Sequence, residues 1–331
     1  MKEKTIDITA QGEALVDMIS TERGVTVENA SGFVKAFGGA LANVAVGCAR
    51  LGARTAFIGK VGSDPFGEYL CAYLRDAGAV TDGLVFSDTH NTSLVFVSLD
   101  EASKPSFYFY GKPSADLKLE AEEVNVEILK SSRFFHFGTV SLSAEPSRSA
   151  TQFAVRTARR AGAVISYDPN IRFHMWDDPD EAIKWALRMM PEADIVKIND
   201  DEAEWLVGTR DPEAATSKLM ELGPRLAVVT LGAEGAFFAV PDQRGRVPAF
   251  KANVVDTTGA GDAFVTGLLT GLASSGAVDP LSDVEIIKKS LVRAAVAAAL
   301  TTEAMGAVSA MPEAETLEKA IKSKLDTERE K

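Results

Sequence analysis

A chain of 331 residues with a formal net charge of -12 has room for one large α/β domain or two smaller ones, and with no dense Lys/Arg cluster its acidity excludes a nucleic-acid surface. Hydrophobic residues make up 46% and charged residues 25%, a soluble globular composition; no charged-then-apolar leader is visible and no apolar run approaches the roughly 18 residues of a membrane helix, so a cytoplasmic protein with no membrane partner is expected. Its two cysteines, Cys48 and Cys71, fall in helix-like segments, which leaves neither a disulfide framework nor a cysteine metal site.

Ile6 to Ala10 predicts a first short strand, followed at once by Gly12-Glu13-Ala14-Leu15-Val16-Asp17. Asp17 is either a solvated turn residue or an acceptor-only carboxylate suited to vicinal hydroxyl donors. The alternating or β-rich stretches Ser31 to Phe37, Thr92 to Leu99 and Ser106 to Tyr110 interrupt a helix–strand rhythm and predict a small accessory sheet. Within it Tyr108 and Tyr110 alternate with Phe107 and Phe109, so one apolar face needs a cover. Gly38-Gly39 permits close backbone approach to a small ligand. Asn43 opens the helix-like run Val44 to Leu51, where its amide can cap the helix or both donate to and accept from hydroxyls.

Thr55 to Val61 predicts a strand, a Gly-rich turn follows, and Glu68 to Ala77 predicts a helix. The unit recurs as strand Arg133 to Phe137, helix Pro146 to Ala161 and strand Ala163 to Asp168, which ends in Asp168-Pro169-Asn170-Ile171-Arg172. Such alternation implies a parallel sheet with helices on both faces and ligands at the carboxyl ends of its strands. Arg172 at such an end can hold a phosphate with its planar fork, or form a surface ion pair; His174 and Trp176 read as packing and surface residues. Strand Asp194 to Ile198 runs into Lys197-Ile198-Asn199-Asp200-Asp201-Glu202, whose acids suit the first turn of a helix reaching Leu206. Leu226 to Leu231 and Ala236 to Val240 flank the tight turn Gly232 to Gly235, which a plain hairpin would also produce.

The β-rich run Val247 to Val255 leads into Asp256-Thr257-Thr258-Gly259-Ala260-Gly261-Asp262-Ala263-Phe264 and an apolar helix continuing to Leu272. Gly259 and Gly261 remove β-carbons that would block backbone approach, and a helix starting there points its first free N–H groups outward, an anion site. A carboxylate beside an anion site repels the anion unless it has a task; accepting a proton is one, complementing the helix dipole another. Leu291 to Leu300 predicts an alanine-rich helix that includes Ala295 and Ala299, small enough for close approach of another helix or of a flat ring, and Pro312 to Lys331 an amphipathic helix fading into charge.

Asp256 to Phe264 matches the C-terminal signature of the ribokinase-like (PfkB) sugar kinases, and Phe33-Val34-Lys35-Ala36-Phe37-Gly38-Gly39-Ala40-Leu41-Ala42-Asn43 resembles their N-terminal signature, in the right order. Lys112-Pro113-Ser114-Ala115-Asp116 resembles the Arg-Asn-Pro-Ser-Ala-Asp region of the fructokinases in that family, with Gly111-Lys112 in place of Arg-Asn. The resemblance runs to about Pro312 and implies a three-layer α/β/α fold with a mostly parallel central sheet and a small β-sheet lid. Residues 1–331 then form one domain, with lid segments at about 12–37 and 88–115 and a C-terminal helix and tail at 313–331. It also implies transfer of the γ-phosphoryl group of ATP to a primary hydroxyl, that of D-fructose first. Other sugars and sugar acids (ribose, 2-keto-3-deoxygluconate), or a catalytically silent binding regulator on the same fold, are the alternatives. No Gly-x-x-x-x-Gly-Lys-Ser/Thr motif is present, and Phe264 stands where a dinucleotide fingerprint has its third glycine.

Carried over position by position, the resemblance makes Asp262 the proton acceptor, with the amides of Ala260 and Gly261 beside Gly259 as the oxyanion donors. It places Asp17, Gly38, Gly39, Asn43, Asn170 and Arg172 around the sugar. Lys197, Asn199, Thr230, Gly232, Gly235, Gly259 and Gly261 fall along the nucleotide phosphates, and Ala295 and Ala299 at an adenine slot facing Gly306-Ala307. Glu202 organises Mg²⁺ through ordered water in this reading, and Asp256 with Thr258 belongs to a monovalent-cation (K⁺) site. The lid sheet covers the sugar or pairs with the lid of a second subunit, giving a homodimer.

Overall fold

The structure, a computed structural model, describes residues 4–99, 105–110 and 113–329. Lys112 and Gly111 of the lid segment, and the end of the tail, fall outside them. Among the described residues there are a nine-stranded sheet and a four-stranded sheet. The strands are β1 (Ile6–Gln11), β2 (Leu15–Arg23), β3 (Phe33–Gly38), β4 (Thr55–Gly62), β5 (Val80–Ser87), β6 (Leu94–Leu99), β7 (Pro105–Tyr110), β8 (Ser132–Phe137), β9 (Val164–Tyr167), β10 (Ile195–Asn199), β11 (Leu226–Thr230), β12 (Ala236–Val240) and β13 (Gln243–Val247). The α-helices are α1 (Ala40–Arg50), α2 (Pro65–Asp76), α3 (Val126–Ser131), α4 (Ser147–Arg160), α5 (Pro179–Met189), α6 (Asp200–Val207), α7 (Pro212–Glu221), α8 (Ala260–Ser274), α9 (Val284–Thr301) and α10 (Ala314–Arg329). No helix of the described residues is long and apolar enough to cross a membrane.

The large sheet runs β13-β12-β11-β10-β9-β8-β1-β4-β5. It is parallel from β5 through β11 and closes at one edge with the antiparallel strands β12 and β13. Its inner strands are apolar on both faces because both faces are covered. In β11, Ala227 and Val229 pack into the cluster formed with α4 and α5, whereas Leu226 and Val228 pack into the opposite one with α8 and α9. Close approach of α8 to α9 depends on small residues: a β-carbon at Gly267 would sit 2.6 Å from Ala294 Cα. The strand order reverses between β8 and β1, and crevices at such switch points are where ligands bind in open parallel sheets.

The small sheet has the order β3-β2-β6-β7. Its β2 carries Asp17 and is paired on both sides, with β3 and β6, so the solvated-turn alternative for Asp17 is set aside and the residue stands on a lid strand. A second difference concerns Val247 to Val255. Only Val247 belongs to a strand, and Val254 and Val255 are exposed, because β13 is the sheet edge and Pro248 just beyond it has no N–H to extend a ladder.

Candidate active site

The first turn of α8 leaves backbone N–H groups open, an arrangement that can hold an anion. Gly259 serves as its N-cap at φ 77 with no side-chain cap, and a β-carbon there would strike Ala307 at 2.7 Å, so the left-handed turn and the close passage of the 302–307 loop both require glycine. Asp256 fixes the approach: its Oδ1 accepts from the N–H and O–H of Thr258 (2.9 and 2.7 Å) and its Oδ2 from the Gly306 amide (2.9 Å). One expectation needs correcting. The Ala260 amide donates to Thr257 O at 3.2 Å and closes a turn, so it is not an open oxyanion donor here. The amides of Gly261 and Asp262 make no hydrogen bond among the described residues and are the ones left open.

Asp262 lies in this turn, partly buried, with Oδ2 accepting from Asn43 Nδ2 at 2.9 Å. Burial raises its pKa to about 6, while the Asn43 hydrogen bond opposes the rise, Asp168 adds to it, and Lys197 and Arg172 oppose it. Asn43 therefore does not cap α1, whose N-cap is Gly39; it sits buried in the first turn and holds the carboxylate of α8, with its own Oδ1 unpartnered.

Across the crevice, Asp17 projects from β2. Burial and the charge of Asp262 raise its pKa to about 7. A β-carbon at Gly38 would lie 2.3 Å from Asp17 Oδ2, and one at Gly39 (φ 98) would lie 2.4 Å from the Glu13 carbonyl. The two glycines thus make room for the β2 segment and its carboxylate. Asn170 adopts φ 45, a left-handed conformation that Asn tolerates better than most residues, and this turns the chain so that Arg172 emerges exposed at the end of β9.

The floor is built from strand ends. Lys197 Nζ donates to Asp168 Oδ2 at 2.8 Å, with both side chains buried. Glu202 and Asn199 form a capping box at the start of α6: Asn199 Oδ1 accepts from the Glu202 amide (2.8 Å), Glu202 Oε2 from the Asn199 amide (3.0 Å). Glu202 Oε1 also accepts from the Ile171 amide (2.8 Å), so this one carboxylate joins the Asn170–Arg172 loop to α6. Among the described residues no three His, Cys, Asp or Glu side chains are grouped to hold a metal directly. Thr230 donates to Ile198 O at 3.2 Å, and Gly232 (φ 56) and Gly235 (φ 89) shape the turn after β11. Gly235 is obligatory because a β-carbon would meet Val247 O at 2.1 Å. Ala295 is buried in the α8–α9 core, whereas Ala299 is partly exposed.

Two acidic residues that the sequence reading left without a role belong to this site. Glu13 is buried, accepts from the Ala40 amide (2.9 Å) through Oε1, and has its pKa raised to about 7 chiefly by burial, with Asp116 and Asp262 adding repulsion. Asp168 is the partner of Lys197. The available signal was position: each is a carboxylate at or just past the end of an apolar parallel strand, where ligands bind.

The sequence profile of the pfkB family carbohydrate kinases matches residues 5–314. The chain belongs to that family. It is 42% identical over 307 residues to probable fructokinase-2 of Arabidopsis thaliana, spanning 92% of each chain. Among solved structures it superposes with a TM-score of 0.86 on a double mutant of the Vibrio cholerae O395 fructokinase in fructose-, ADP- and potassium-bound form (34% identity, 97% and 100% of the two chains). The aminoimidazole riboside kinase of Salmonella enterica, complexed with its riboside and an ATP analogue, follows at 0.82 (30% identity, 95% and 99%). As a PfkB kinase of the fructokinase type, the protein is a phosphotransferase, an ATP-dependent sugar kinase with the ribokinase-like sheet and lid.

Proposed function

We propose that the acceptor is D-fructose and the product fructose 6-phosphate, with Asp262 taking the proton of the attacking hydroxyl. The observation that carries this reading is the pairing, within one helical turn, of a carboxylate with pKa about 6 and two open backbone amides. A base of that strength is largely ionised at neutral pH and still basic enough to accept a proton as the hydroxyl attacks, and the amides are fixed donors for the moving negative charge. Asp17 and Asn170 hold sugar hydroxyls, and Arg172 steadies the transferring group. Lys197, Asn199, Thr230, Gly232 and Gly235 lie along the nucleotide side, and Ala299 toward adenine.

Glu202 fits Mg²⁺ only through water, since each of its oxygens already accepts a backbone amide. Held there, such an ion would supply positive charge against the nucleotide phosphates. Asp256, which gathers the Thr258 and Gly306 segments, would similarly hold a monovalent cation.

Charge favours a neutral acceptor over a sugar acid or sugar phosphate. The charge of Asp262 raises the pKa of both Glu13 and Asp17, so three carboxylates already share the crevice. Lys197 is committed to Asp168. Lys35 pairs opposite Met18, on the lid face away from Asp17, and lies over the Tyr69 ring at 3.7 Å. Arg172 remains as the described cation of the cleft, too little for a second anionic group.

A coupled ADP-release assay with fructose, ribose and 2-keto-3-deoxygluconate tests the substrate, and Asp262→Asn tests the base. Fructose is expected to give the highest kcat/KM, and the variant to lose about two orders of magnitude or more in kcat with fructose affinity held within about tenfold. Equal turnover in Asp262→Asn, or a preference for the sugar acid, refutes the corresponding half. A second copy of this chain is also proposed to cover the lid edge, where Phe107, Tyr108 and Tyr110 of β7 are exposed. Sedimentation should then show a dimer that Tyr108→Ser with Tyr110→Ser weakens.

A further inference from the structure

Behind the base lies a buried ion pair that the reaction does not obviously need. Asp168 directly follows β9 and Lys197 sits on β10, and each side chain is under a tenth exposed. Ion pairs this deep are weak sources of stability, because desolvation offsets their attraction. Their placement is the informative part. A β-carbon built on Gly261 would sit 3.2 Å from Lys197 Nζ, so the ammonium rests against the first turn of α8, one residue before Asp262. Asp168 holds it there through Oδ2, while its Oδ1 has no hydrogen-bond partner among the described residues.

We infer that Asp168 and Lys197 are positioning residues that act on Asp262 as a charge balance: Lys197 favours the ionised base, and Asp168 opposes it while fixing the lysine against Gly261. This rests on Asp262 being the base. The groups facing Asp262 come from every element packed on it: Glu13 from the β1–β2 turn, Asp17 from β2, Asn43 from α1, Asp168 from the end of β9, Arg172 from the following loop and Lys197 from β10. The carboxylates push Asp262 toward its neutral form, and the two cations and the Asn43 amide resist. Asp168 and Lys197 act on it in opposite senses, so that replacing either one alone unbalances the base while replacing both restores it.

The test is the titration of the Asp262 carboxyl carbon, followed by NMR in full-length protein carrying ¹³C-labelled aspartate and assigned by the signal missing in Asp262→Asn. It requires no turnover, so it stands or falls separately from the kinase assay. Lys197→Gln and Asp168→Asn each keep a hydrogen-bonding group in place and remove one charge. The expected result is an upward shift of about half a unit or more in Lys197→Gln, a downward shift in Asp168→Asn, and a return to within about 0.3 unit of wild type in the double variant. Either single variant decides by its direction should the other fail to fold. Titration unchanged in the folded variants, or a shift of the same sign in both, overturns the inference. A purely packing role would alter melting temperature without producing opposite shifts.

Discussion

Asn43 Nδ2 donates to Asp262 Oδ2 at 2.9 Å, joining the first turns of α1 and α8 across 219 residues of sequence. A neutral donor to a carboxylate favours its charged form, so Asn43→Ala should raise the pKa of Asp262. With a rise of about one unit from about 6, the ratio of kcat/KM at pH 6.5 to that at pH 8.5 falls roughly threefold relative to wild type. An unchanged ratio assigns the amide to the sugar instead.

Glu13 and Asp17 are both raised to about 7 by burial, with neighbouring carboxylates adding to it. Because the folded protein holds these protons more tightly than the unfolded chain, their contribution to stability is fully present below about pH 4 and is lost as pH rises through about 7. The ligand-free protein should therefore melt at lower temperature at pH 8 than at pH 5, by an amount corresponding to a few kcal/mol in total. Glu13→Gln and Asp17→Asn should each flatten that slope in thermal melts. Asp7 and Asp64, whose pKa values are lowered, oppose it only below about pH 4.

Gly38→Ala places a methyl group 2.3 Å from the Asp17 carboxylate and 2.9 Å from Leu15. The Asp17 side chain must turn away, and with Asp17 in its proposed role of holding sugar rather than reacting, the expected result is a fructose KM raised tenfold or more with kcat within a few-fold. Steady-state kinetics separates the two constants.

Glu202→Gln replaces one carboxylate oxygen with an NH₂ group. Whichever way the amide sits, either Ile171 or Asn199 loses its acceptor, a loss of about 1–3 kcal/mol. Denaturant melts read the destabilisation, and faster protease cleavage near Arg172 reads the loosened loop.

The parallel layers were legible because strand and helix units alternate along the chain, and Gly259 with Gly261 marked the start of α8 through backbone rules alone. What stayed hidden depends on partners distant in the chain. Asp17 reads as either a turn residue or a hydroxyl acceptor until β3 and β6 flank it. Nothing near Asn43 announces that its amide faces α8, and Asp168 acquires meaning only beside Lys197, 29 residues later. The Ala260 amide was misread for a different reason: the Gly259 turn lets it reach Thr257 O, a choice of hydrogen bond that composition does not encode.

The first strand of the chain pairs with β4, which begins at Thr55, and on its other flank with β8, which ends at Phe137. On a ribosome adding about 5–20 residues per second, that second flank stays bare for roughly 6–25 s after β1 is synthesised. Abortive products that stop within the lid would keep an apolar open edge permanently, the geometry that recruits other strands. Nascent chains of this kinase should therefore be most open to capture by other strands before β8 arrives, and expression at low temperature with slowed initiation should raise the soluble yield.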